Sequence, residues 1–122
     1  MSPMRRRRID FAAGRAALDS WARDPESASR ETLLTAVRFT LEELEAAHPG
    51  RAVEVRVPPA GAVQILPGAT HRRGTPPAVV ETRMDVWLRL ATGQIRWAEA
   101  VEDRRVCASG ERTDLTELFP VL

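Results

Sequence analysis

The chain has no tyrosine and no lysine, one cysteine and two histidines, so the side chains from which most active sites are assembled are scarce. A lone Cys107 excludes an intramolecular disulfide, and with no second thiol or histidine near it in sequence there is no metal-ligand spacing either. No apolar run approaches the length needed to span a bilayer. The basic run Arg5 to Arg8 leads into Ile9-Asp10-Phe11-Ala12-Ala13-Gly14-Arg15, which charge interrupts too soon for the apolar core of a signal peptide. The formal net charge of +1 creates no field that would gather nucleic acid. Internal repeats and low-complexity segments are also missing. What these absences leave is a cytoplasmic protein with no metal, no cofactor and no nucleic-acid partner. With 122 residues, 43% of them hydrophobic and 29% charged, the chain has the size and composition of one soluble domain, expected over residues 9–122 behind an Arg-rich tail at 1–8.

The apolar pattern divides that domain into short elements. Asp10 is placed to cap a helix with Phe11, Gly14, Leu18 and Trp21 on one face, and Asp24-Pro25 ends it. Ser29 opens a longer helix on which Leu33, Val37, Leu41 and Leu44 form a stripe, stopped by His48-Pro49-Gly50. Phe39 lies roughly opposite that stripe, so it is expected to pack under the N-terminal helix; if exposed, it would mark a docking point for a partner. Val53, Val55 and Val57 alternate with charges as in a half-buried strand, and a turn at Pro59-Ala60-Gly61 leads to a second strand over 62–66. After the polar loop from Pro67 to Pro77 comes a strand at 78–81. Thr82-Arg83-Met84-Asp85 fits a capping box for a short helix carrying Met84, Trp87, Leu88 and Ala91, with Gly93 as its left-handed exit. A further helix is expected to present Ile95, Ala98 and Val101 with Trp97 beside them, followed by a strand at 105–109. A closing helix from Thr113 or Asp114 would carry Leu115, Leu118, Phe119 and Leu122 on its buried side. This order describes an α/β (α+β) fold: a twisted, mainly antiparallel sheet of four or five strands with helices packed on one face.

Few polar residues in this pattern suggest chemistry. His48, at a helix end, reads as structural, and Cys107, alternating with Val106 and Ala108 in a strand, as an inert packing or sheet-face residue. Ser109-Gly110-Glu111-Arg112 lacks the glycines and the Lys-Ser/Thr pair of a phosphate loop. Glu99, Glu102 and Asp103 alternate with arginines as on a solvated face and receive no role. His71, Arg72 and Arg73 in the long loop form the strongest polar group: guanidinium forks suit a phosphate or carboxylate, although neighbouring side chains of an extended loop also point apart into solvent. No catalytic set emerges, and the chain reads as a non-enzyme.

The stretch from Glu81 to Gly110, with Leu90-Ala91-Thr92-Gly93 and Val106-Cys107-Ala108-Ser109-Gly110 in their places, resembles the C-terminal half of sterol carrier protein domains over residues 78–122. Val53-Glu-Val-Arg-Val-Pro-Pro and the loop His71-x-Arg-Gly-Thr-Pro-Pro extend the likeness toward the bacterial sterol carrier orthologues of actinobacteria. The resemblance implies an SCP-2-like fold and non-catalytic binding or transfer of a lipid or acyl-chain-like molecule in an apolar tunnel. Trp87, Leu90, Trp97, Leu118 and Phe119 would be its walls, with His71, Arg72 and Arg73 available to an anionic group. Contact with a membrane surface would be transient at most, and a protein partner or homodimer is left open. The likeness extends also to the C-terminal part of mycothiol-dependent maleylpyruvate isomerase-like proteins, which would make the chain an accessory or interaction module. In those proteins an N-terminal helical bundle supplies metal-binding histidines, and the N-terminal helices expected here contain none.

Overall fold

The computed structural model describes residues 9–68, 78–110 and 113–122, and its centre is β1, Pro49–Val57. Strands β2 (Gly61–Ile65), β3 (Ala78–Thr82) and β4 (Val106–Ser109) complete a sheet of order β2-β1-β3-β4. The register sets Val53, Val55 and Val57 of β1 on one face with Val80 of β3 and Ile65 of β2, where all of these are buried. Glu54, Arg56, Glu81 and Cys107 alternate onto the opposite face. The β1–β2 and β3–β4 pairings are antiparallel, but β1 and β3 run parallel, so the sheet is mixed across its middle.

The helices cover the buried face. In α1 (Phe11–Arg23), Asp10 accepts the Ala13 amide at 3.1 Å as its cap, and in α2 (Arg30–Ala47) Ser29 accepts that of Thr32 at 3.1 Å. Val37, Leu41 and Leu44 of α2 are buried in the common core, while Phe39 turns toward α1. There the Phe39 ring occupies the place of a side chain at Gly14: a Cβ on that glycine would overlap it. Phe39 is therefore fully buried under α1 rather than available to a partner, and the ring of Phe11, itself 57% exposed, meets it edge-on at 5.4 Å between centroids. The Arg38 Nε donates to Ala60 O at 2.8 Å, tying α2 to the β1–β2 turn.

Packed against α2 is α3 (Met84–Ala91), buried on most of its circumference through Val86, Trp87, Leu88, Leu90 and Ala91. Gly93, at φ +80°, takes the chain out of it in the left-handed conformation that glycine adopts without steric cost. Thr82 is not the cap of this helix. It is the last residue of β3, buried, and its hydroxyl donates to Arg105 O at 2.8 Å; Arg83 holds the cap position without a side-chain bond, and its Nε meets Asp85 at 3.4 Å on the surface. In α4 (Trp97–Glu102) the buried side is Trp97 and Ala100, with Ala98 and Val101 exposed, because Ile95 precedes the helix and does not share its periodicity.

The closing helix is also absent. Residues 116–118 form one 3₁₀ turn, and Phe119 is extended at φ −112°, ψ 143°. Pro120 explains it: the pyrrolidine ring disfavours helical backbone at the residue before it and has no N–H to continue the ladder. Leu115 is buried as expected, whereas Leu122 is 43% exposed. The segment is instead fastened by the Val121 amide, which donates to Ala91 O at 2.8 Å. None of the helices among the described residues is long and apolar enough to cross a membrane.

Candidate functional site

The aromatic residues of the C-terminal half converge. Trp87 on α3 meets Phe119 edge-on at 5.6 Å, and Trp97 on α4 lies nearly parallel to the same ring, 12° between planes and 5.9 Å between centroids. Offset and edge-to-face arrangements at these separations are the favoured ones for aromatic quadrupoles. Leu90 is buried, and Leu118 and Phe119 are half-buried against the core. The five residues expected as walls thus lie in the core or pack against it, with the Phe119 ring in contact with both Trp87 and Trp97.

Trp97 also borders a cleft beside that cluster. Val106 and Ala108 face the same side of β4, but Val106 is buried and Ala108 exposed. Beside Ala108 a cleft of about 390 Å³ runs between α4, β4 and the segment at 113–116. Trp97, Ala98, Val101 and Ala108 give it an apolar floor, and Val101 is 41% exposed there. Its polar edge consists of Glu102, Thr113, Asp114 and Thr116. The volume lies within the roughly 300–1,000 Å³ typical of small-molecule sites, and the mixture of an apolar floor with few polar groups is the usual one.

Asp114 is the most constrained of the polar residues. Its Oδ1 accepts the Thr116 hydroxyl at 2.6 Å and the Thr116 amide at 3.1 Å. These bonds, the hydroxyl's foremost, hold the carboxyl below the usual carboxylate range. A second cleft, of about 430 Å³, lies beside Leu66, Glu117 and Leu118 and shares Asp114 and Thr116 with the first. Leu118, another expected wall, borders this one.

Val101, Ala108, Glu102 and Asp114 were not distinguishable in the sequence. Small apolar and acidic residues in short elements carry no motif, and the one available signal was that Ala98 and Val101 fall away from Trp97 and Ala100 once the helix is started at Trp97. His71, Arg72 and Arg73 lie outside the described residues. His48 closes α2, its amide donating to Leu44 O at 2.9 Å and its carbonyl accepting from Leu66 N at 2.8 Å. Cys107 is exposed on the outer sheet face. Among the described residues no three His, Cys, Asp or Glu side chains are grouped as metal ligands.

A family model described as bacterial SCP ortholog matches residues 29–121, which spans α2 to the C-terminal turn and leaves α1 outside. No curated protein matches the chain.

Proposed function

The chain belongs to the family of bacterial sterol carrier protein orthologues, and from that premise we propose that it binds or carries an apolar, lipid-like small molecule in the cleft between α4 and β4. The family is generally one of non-catalytic carriers, and the reading assigns the chain no reaction. The observation that carries it is the uncovered end of the sheet's inner face, where Trp97, Ala98, Val101 and Ala108 leave apolar surface open beside a packed aromatic cluster. Burying such surface against a hydrocarbon is favourable by about 25 cal/mol per Å². The cluster of Trp87, Trp97 and Phe119 supports the floor, and ligand would lie against it rather than within it.

The test is saturable binding of the neutral dye Nile red, followed by its fluorescence, with decanol as competitor. Val101→Asp would place a charge on the floor and Ala108→Trp would fill the cleft; each is expected to weaken binding by about tenfold or more. Both positions are exposed, so far-ultraviolet dichroism and melting temperature should be retained. Failure of wild-type protein to bind either the dye or decanol at micromolar concentration would overturn the reading.

A further inference from the structure

The cleft has a sign. Of its polar lining groups, Glu102 and Asp114 carry negative charge, Thr113 and Thr116 are neutral, and among the described residues no arginine or histidine borders it. Arg105 is paired with Asp103 at 3.7 Å, and among the described residues no ion pair joins Glu102 or Asp114 to a cation. Both hydrogen bonds from Thr116 go to Oδ1 of Asp114, so among the described residues Oδ2 remains open to a further donor. The neighbouring cleft repeats the pattern, with Glu117 in place of Glu102 and again no basic residue among its described lining. In a chain of net charge +1 this is a local arrangement and not a reflection of overall composition.

Building on the proposed carrier reading, we infer that the ligand class is a cationic amphiphile, with an apolar chain or ring against Trp97, Val101 and Ala108 and an ammonium group at the carboxylates of Glu102 and Asp114. An ammonium N–H donates charge-assisted hydrogen bonds to carboxylate oxygens that no described side chain claims. A fatty-acid carboxylate of equal length would bury the same hydrocarbon but bring a third negative charge to the rim, where the Thr116 hydroxyl already donates to Asp114. An alcohol should fall between the two. Selection by charge is thus added to burial by shape, on the same apolar floor.

Decylamine, decanol and decanoate, compared below their micellar concentrations as competitors of Nile red, separate the contribution of charge from that of the apolar chain. Decylamine is expected to bind about tenfold or more tightly than decanoate at low ionic strength, a margin that added salt should narrow. In the double variant Glu102→Gln, Asp114→Asn the margin should fall to about threefold or less. The side-chain amide oxygen that Asp114→Asn introduces can still accept from Thr116, so the turn is kept. Equal affinities in wild type, or a preference for decanoate, would overturn the charge assignment while leaving the carrier reading standing. An amine preference that survives in the double variant would overturn the assignment to these two carboxylates. Loss of dye and decanol binding together in wild type would instead remove the carrier reading on which the assignment rests.

Discussion

The indole N–H of Trp87 donates to the hydroxyl of Thr40 at 2.8 Å, joining α3 to α2 inside an otherwise apolar core. Both residues are buried, and Thr40 passes its own proton on to the carbonyls of Ala36, at 2.9 Å, and Val37, at 3.0 Å. The threonine thereby serves the long-range bond and the local one with a single oxygen, and no described buried side-chain polar atom is left without a partner.

Thr40→Val keeps the shape and removes the acceptor. The stranded indole N–H should destabilise the fold by about 1–3 kcal/mol, the cost of an unsatisfied buried donor. Thr40→Ser, which retains the oxygen, should lose less. Urea denaturation followed by dichroism distinguishes the two, and equal losses would show that the bond contributes little.

A helix interior is a poor place for glycine, and Gly14 is explained only by the ring above it. Gly14→Ala should gain intrinsic helix propensity yet cost about 1–3 kcal/mol overall through overpacking against Phe39. Combining it with Phe39→Leu should recover part of that loss, so the two changes will be less than additive. A stabilising effect of Gly14→Ala alone, measured by thermal melting, would mean that α1 and α2 move apart without penalty.

The C-terminal segment makes a sharper contrast than a helix would. Leu115 is buried and Leu122 exposed, so Leu115→Ala should cost about 2–5 kcal/mol whereas Leu122→Ala should stay within about 0.5 kcal/mol. Similar losses at the two positions would fit the continuous buried stripe that the spacing suggests and not the observed turn.

What the sequence disclosed and what it withheld follow from the range of the forces involved. The alternation of Val53, Val55 and Val57 and the caps at Asp10 and Ser29 are local and were readable. So was the direction of Phe39, because a large apolar residue opposite one helical stripe needs a second cover. The parallel pairing of β1 with β3 brings together strands far apart in sequence, and no local pattern records that. Thr82 has the composition of a cap, but its hydroxyl is claimed by Arg105 O, 23 residues away in sequence. Pro120 was the overlooked local signal: it ends the helical reading of Leu115, Leu118 and Phe119 by itself. At the site, bulk was visible and space was not. Trp87, Trp97 and Phe119 announce themselves as large apolar residues, while the cleft depends on where α4 sits beside Ala108 of β4, a matter of helix placement that periodicity over six residues does not encode.

The strand order has a consequence for how the molecule breathes. Within the described sheet β1 and β3 each have a neighbour on both flanks, while β2 and β4 are each held on one flank only. Deuterium should therefore enter the outer strands through small local openings and reach the interior pair last, with Val53 to Arg56, where β1 is matched to both β2 and β3, exchanging in step with global unfolding. The cleft beside α4 sits at the loose end of the same gradient. Its wall, β4, is an edge strand four residues long, and such a wall can yield to occupants of different girth while the centre of the sheet keeps its register.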